Sequence, residues 1–364
     1  MSEPVCLSAR ILHRSDVFLA GNGPYCHYRI PGLVCTPGGR LLACCEARLQ
    51  QGDWAPSDIL LCRSDDQGRT WSPPERLAAH ADYGPSCMNN PVLLVDRDRG
   101  HIHLFYCHDY RRVFHRVSED EGARFGPPTE ITSSLESLRT ALPWTVVALG
   151  PGHGIAHSSG RLLVPIWLSA QADRNHEPNR AAMLYSDDGG SNWLASPLVP
   201  DSVPSCNESE AAELPDGRVL LNMRNLGAEH RRALAWSDTG SGPWSPPQLA
   251  EDLPEPRCFG SMVGEWGAQG QGILWFCNPD PLGLEDPTLP QTARVNLSLR
   301  ASLDGGRRWT SGCSLDAGSA GYSDLAVLPS GRLACLYERG RVPGQPGRVQ
   351  ALSLLLIEPR LQHG

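Results

Sequence analysis

Apolar residues in this chain come in short runs, and glycine turns set the phase of those runs. GGRLLACCEAR, RGHIHLFYC, SGRLLVPIW, DGRVLLNMR, QGILWFC and SGRLACLYER each place a glycine (Gly39, Gly100, Gly160, Gly217, Gly272, Gly331) just before a mostly apolar stretch. Short apolar or alternating runs bounded by turn residues predict β-strands, and no segment carries the 3.6-residue stripe of a long helix. Successive glycines lie 61, 60, 57, 55 and 59 residues apart. Six units of about 60 residues therefore nearly exhaust the chain. A repeat this small cannot bury its own apolar face, so the units must stack on one another.

A second pattern interleaves with the first. Ser64-Asp-Asp66-Gln-Gly68-Arg-Thr70-Trp71 is the full form, Ser-x-Asp-x-Gly-x-Thr-Trp. It recurs as SEDEGARF from Ser118, SDDGGSNW from Ser186 and SLDGGRRW from Ser302, with a degraded SDTGSGPW from Ser237. Asp and Gly at this spacing predict a turn that bonds to its own backbone, with the final aromatic as an apolar plug beneath it. Erosion of the second and fourth copies is expected to touch packing only. The five copies follow the first five glycine turns, and the N-terminal strand is expected to complete the sixth sheet. The predicted fold class is all-β: a six-bladed β-propeller of four-stranded antiparallel sheets, forming a single domain over 1–364. Two stacked β-sandwiches fit so regular a spacing less well.

Composition narrows the partners. Hydrophobic residues at 40% against 20% charged describe a folded globular chain. A net charge of −8 argues against a nucleic-acid partner or an anionic membrane held by bulk electrostatics. No apolar run reaches the roughly 18 residues of a membrane-spanning segment, and the first residues lack a signal-peptide core. A cytoplasmic location is therefore expected. Thirteen cysteines without a C-x-x-C pair read as reduced thiols serving as small core residues. His101, His103 and His108 are the one hint of a metal site, and packed strand histidines are the commoner meaning of such spacing. No metal is expected.

Polar exceptions to the repeat fall at matching offsets from the turn glycines. Arg29 lies ten residues before Gly39, Glu208 nine before Gly217, Tyr322 nine before Gly331 and Asn89 eleven before Gly100. Glu46, Arg224 and Glu338 each lie seven residues after a turn glycine. Equal offsets in stacked units mean equal heights around the axis, so these side chains should converge at one mouth. Guanidinium groups gathered in an acidic protein predict a carboxylate or phosphate ligand.

At this point the residues resemble a known family. Tyr28-Arg29-Ile30-Pro31 followed by repeated Asp-boxes is similar to the exo-α-sialidases, or neuraminidases, of bacteria and animals. EARLQQGDW, GPGHGI, NESEAAELPDGRVLLNMRN, RVNLSLRASLDGG, AGYSDLAVL and LYERG follow in the family's order, so the resemblance covers essentially the whole chain. It implies that Arg29, Arg224 and Arg294 clamp a substrate carboxylate, with Arg300 a competitor for the third place. It implies Tyr322 as nucleophile, Glu208 as its base, and Asp53 as acid/base, with Asp58 the alternative. Glu338 would hold Arg29, while Arg48 and Asn89 would make further contacts to the sugar. One departure stands out: the family's usual Asn-Glu-Cys/Ser-Gln is here Asn207-Glu208-Ser209-Glu210, which adds a carboxylate two residues beyond the base.

The activity so implied is hydrolysis, with retention, of terminal α-linked sialic acids on glycans, glycoproteins or glycolipids. No cofactor is implied. Alternatives from the same fold are a trans-sialidase, an intramolecular sialidase and a hydrolase of related nonulosonic acids. From another class comes a non-catalytic Asp-box propeller that binds glycans or proteins.

Overall fold

Five of the predicted turn glycines, Gly39, Gly100, Gly160, Gly217 and Gly331, have φ between +69° and +87°, the left-handed region that a side chain resists. Each leads within two residues into a strand. Gly272 differs: it opens the strand Gly272–Pro279, with no positive φ. The computed structural model describes residues 5–84, 86–171, 176–266, 272–284 and 286–363. Among these the fold is all-β, and helix is confined to three short 3-10 segments. No helix among the described residues is long and apolar enough to cross a membrane.

Strands pair with their neighbours in sequence, as short turns dictate. His27–Cys35, Leu41–Arg48, Ser57–Ser64 and Glu75–Ala78 form one four-stranded sheet in that spatial order. Met88–Asp96, His101–His108, Arg112–Ser118 and Thr129–Glu130 form the next, with Gly152–His153 added in parallel to its first strand. Val146–Leu149, Leu162–Ser169, Asn179–Ser186 and Leu194–Ala195 follow, then Ser209–Glu213, Val219–Met223, Arg231–Ser237 and Gln248–Pro254.

The last sheet has seven strands, where two sheets of four were expected. The cause is one long strand, Cys313–Val327, which serves two partners. Its first part pairs with Val295–Ser302 and its second with Leu333–Val342, with a bulge between Ala320 and Ser323. At the far edge the N-terminal strand Val5–Leu19 pairs antiparallel with Gln345–His363, from Val5↔His363 to Leu19↔Ala351.

The apolar cores lie between successive groups of strands. Leu42 and Leu61 of the first sheet pack with Leu93 and Leu104 of the second. Val92 and Phe105 then pack with Val147 and Val164, and Leu163 and Met183 with Leu221 and Met223. Leu220 packs with Leu274 and Phe276, and Trp275 with Leu325 and Leu355. Finally Leu352 and Leu354 return to Leu33 and Leu41 of the first sheet. Each such leucine, fully buried, contributes about 2 kcal/mol of transfer free energy.

The Ser-x-Asp turns are built as their residues suggest. Ser64 Oγ donates to Asp66 Oδ1 at 2.8 Å and accepts from Gly68 N at 2.8 Å; Asp66 Oδ1 also accepts from Thr70 N at 2.8 Å. The turns at Ser186 and Ser302 repeat these bonds. The second copy, eroded in sequence, keeps all three, and differs in its plug and in having Arg124 where Thr70 Oγ1 donates to Asp66 Oδ2 in the first. The copy at Ser237 lacks the aspartate and keeps only weaker bonds from Thr239 N and Gly240 N to the serine hydroxyl. All thirteen cysteines are free thiols, and ten are buried. The three histidines do not join: His103 stacks on His115, ring nitrogens 2.9 Å apart, while His108 Nε2 meets Ser86 Oγ at 2.8 Å.

Candidate active site

Irregularities in strands that open successive groups aim polar side chains at one pocket. In Tyr28-Arg29-Ile30-Pro31 the register slips between Arg29 and Gly32, and Ile30 takes φ +58°. A left-handed β-branched residue costs on the order of 1–3 kcal/mol. Part of that is offset by Glu338 Oε1, which accepts from Ile30 N at 3.2 Å and from Arg29 Nε at 2.5 Å. Glu338 Oε2 accepts from Tyr322 N at 3.3 Å, so one buried carboxylate joins the arginine strand to the tyrosine strand. The Arg29 guanidinium beside Glu338 outweighs the effect of burial and holds that carboxyl below the usual range.

Three guanidinium groups surround Tyr322. Those of Arg29 and Arg294 lie 5.2 and 5.3 Å from its ring centroid, and Arg224 Nη1 donates to its hydroxyl at 2.8 Å. The Tyr322 hydroxyl in turn donates a short hydrogen bond to Glu208 Oε1, while Glu208 Oε2 accepts from Arg224 Nη1 at 2.5 Å. Burial, and then the charge of Glu208, pushes the phenol well above its ordinary pKa against the pull of the arginines. The phenol is thus protonated at neutral pH and already bonded to a base.

Opposite this group stands Asp53, whose side chain is 62% exposed and whose Oδ1 accepts from Arg48 Nη1 at 2.9 Å. Burial would raise its carboxyl, but Arg48 and then Arg29 outweigh it and hold it below the usual range. These groups line a pocket of about 610 Å³, with the size and mixed lining of a sugar-sized site. Trp54, Tyr110, Trp167 and His176 form its aromatic wall, with Trp54 and Tyr110 centroids 4.8 Å apart.

Arg29, Asp53, Glu208, Arg224, Arg294, Tyr322 and Arg48 all line this pocket, and Glu338 lies behind Arg29. Arg48, however, is only 2% exposed, and Glu46, Gly52 and Asp53 occupy its donors; it holds the Asp53 loop and has little left to offer a sugar. Asn89 is a correction. It is fully buried and off the pocket wall, where Asn90 stands instead. A bulge between Asn89 and Val92, with Asn90 at φ +49°, makes the one-residue difference. Glu46 Oε1 accepts from Asn90 N at 2.7 Å, as Glu338 accepts from Ile30 N. The signal was present: Asn90-Pro91 repeats Ile30-Pro31 at the same distance, within one residue, from its turn glycine.

Both competitors lie elsewhere. Arg300 pairs with Asp280 at 2.6 Å, away from the pocket, and Asp58 is buried under bonds from Tyr25 and His80. Trp54, Tyr110, His176 and Arg257 escaped sequence reasoning because they come from connecting segments. Trp167, by contrast, lies on the strand Leu162–Ser169, seven residues after Gly160, at the offset of Glu46, Arg224 and Glu338, so its signal was present.

The model of the BNR repeat-like domain matches residues 39–335. The sialidase of Micromonospora viridifaciens is 30% identical over 352 residues, covering 89% of this chain and 52% of that protein. The sialidase of Bacteroides fragilis is 27% identical over 363 residues, covering 90% of this chain and 63% of that protein. The chain thus spans between half and two thirds of the length of these two relatives. Among solved structures, the Hadza microbial sialidase Hz136 superposes with a TM-score of 0.80 at 26% identity, over 94% of this chain and 68% of that one. With its repeats matched over most of its length, this chain belongs to the BNR repeat-like domain family.

Proposed function

We propose that this protein is an exo-α-sialidase that releases terminal α-linked sialic acids from glycoproteins or glycolipids with retention of anomeric configuration. The observation that carries this reading is the Tyr322 hydroxyl, bonded to Glu208 and surrounded by three guanidinium groups. We also infer one propeller domain of six four-stranded blades. The chain-order pairing, the six successive cores and the return of the N-terminal strand to the C-terminal one support it. A crystal structure with another number of blades would contradict it.

A sialoside carries its carboxylate on the anomeric carbon. A carboxylate nucleophile would approach that anion against repulsion, whereas a neutral phenol would not, and tyrosine nucleophiles are the known exception among glycosidases. Arg29, Arg224 and Arg294 bind the carboxylate and fix the anomeric carbon above Tyr322. Glu208 takes the phenol proton as the Tyr322 oxygen attacks, leaving the sugar on the tyrosine. Asp53 protonates the departing oxygen, then removes a proton from the water that releases the sugar.

Asp53 must hold a proton to act as acid. When the substrate carboxylate engages Arg29, part of the pull that keeps Asp53 ionised is removed, and its pKa rises. Turnover is therefore present below that pKa and lost as pH rises through it, giving an acidic optimum. Asp53→Asn is expected to cost about 1,000-fold in kcat/KM, which reports the first step alone, on sialyllactose, whose leaving group needs a proton, and about 10-fold or less in kcat/KM on an aryl sialoside. Equal losses on both substrates would remove Asp53 from the acid role.

Incubation with 3′-sialyllactose followed by proton NMR tests the function as a whole. Free sialic acid, appearing first as the α-anomer, is expected. Trp54, 44% exposed beside Asp53, presents an apolar surface to the leaving-group side and is the observation that favours transfer over hydrolysis. An anhydro-sugar or a transferred sialoside would support that second reading, and absence of any product would leave a binding module.

A further inference from the structure

Beneath the Tyr322–Glu208 pair lies a second layer of charge that the reaction does not use directly. Alternate strand residues share a face, and Glu210 and Asp324 each stand two residues beyond a reacting group, roughly 7 Å deeper along the strand. Both are fully buried, and one imidazole joins them. His153 Nδ1 is 2.7 Å from Asp324 Oδ1 and 3.2 Å from Glu210 Oε2, while His153 N donates to Glu210 Oε1 at 3.0 Å. Asp324 also accepts from Ser261 Oγ at 2.9 Å and from Leu33 N at 2.6 Å. Leu33 lies on the strand that carries Arg29. The strands bearing the nucleophile, the base and one clamp arginine are therefore all fastened to this cluster.

The approach is built into the backbone. Gly152 has φ +94°, and a Cβ there would run into Glu210 Oε1 and the Phe259 ring. Only glycine lets His153 come this close. Two carboxylates without a cation would not remain ionised at such depth. Burial would lower the His153 imidazole, but Glu210 and Asp324 outweigh it and raise it to about 9. Burial pushes the Glu210 carboxyl far above its usual range, opposed first by His153 and more weakly by Arg232. The thiols near Asp324, Cys44 and Cys335, are held neutral by their raised pKa. His153 is thus the cation of the cluster at neutral and acid pH.

We propose that His153, through Asp324 and Glu210, is a positioning residue that sets the reacting distance between Tyr322 and Glu208. The proposal rests on the tyrosine-nucleophile reading above. A misplacement of about 1 Å in a reacting group can cost on the order of 100-fold in rate.

The test uses the full chain with His153→Gln and Asp324→Asn. It measures kcat and KM on methylumbelliferyl sialoside, the rate constant of inactivation by 2,3-difluorosialic acid, and melting temperature. In a folded variant, kcat and the inactivation rate constant should fall together by about 10- to 100-fold. KM should stay within about twofold, because no guanidinium of the arginine clamp bonds to His153 or Asp324. If the wild-type protein neither turns over nor is inactivated, the tyrosine reading itself has failed, and this proposal with it. If the wild type is active and a folded variant keeps kcat within about twofold, or loses it only together with a matching rise in KM, the positioning role is overturned. Failure of both variants to fold would assign the cluster to stability and overturn it equally.

Discussion

Tyr322→Phe is expected to lower kcat on sialyllactose and on methylumbelliferyl sialoside by at least about 1,000-fold while leaving the protein folded. The ring is retained, so its contact with Phe259 and its place beneath the Arg29 and Arg294 guanidinium groups persist. What is lost is the hydroxyl that donates to Glu208 and accepts from Arg224. Glu208 keeps its bond from Arg224 Nη1, so no carboxylate is left uncompensated and stability should change by about 1 kcal/mol or less. The nucleophilic oxygen has no substitute on that wall of the pocket. A folded variant within about tenfold of wild type would end the nucleophile assignment.

Arg294→Ala should raise KM by about 100-fold with little effect on melting temperature. A charge-assisted pair is worth about 1.5–3 kcal/mol, and 1.36 kcal/mol is tenfold. Among the described residues Arg294 has no carboxylate partner, and its side chain donates only to the Arg257 carbonyl, at 2.5 Å. Its charge is therefore free for an incoming anion, and its removal strands nothing. Arg29→Ala would behave differently. It would leave Glu338, 1% exposed, without its cation, at a stability cost of about 3–5 kcal/mol. The double substitution Arg29→Ala/Glu338→Gln should recover folding without recovering binding. An unchanged KM in Arg294→Ala would remove that residue from the clamp.

The site was legible in the sequence wherever regular strand geometry applied. Arg29, Glu208 and Tyr322 lie nine or ten residues before a turn glycine because each lies on, or one residue before, the strand that leads into that turn, so counting residues placed them together. That counting failed at Asn89, because a bulge shifts the chain by one and turns Asn90 into the pocket. Arg48 was placed by the resemblance and not by counting. The position was right, but Glu46, two residues earlier on the same strand face, takes its donors. The seven-stranded sheet was hidden because nothing in AGYSDLAVL marks the bend that lets one strand serve two partners. Glu210 was visible as a carboxylate out of pattern, yet its meaning needs His153, which lies 57 residues earlier in a segment paired with another sheet.

The central claim is a covalent bond between the sugar and Tyr322. Peptide mass mapping after acid quench of the protein with 2,3-difluorosialic acid tests it most directly. The predicted result is one fluorosialosyl adduct, on the peptide that contains Tyr322 and absent from Tyr322→Phe. An adduct on Glu208 or Asp53, or none from a protein that turns over sialyllactose, would contradict the account.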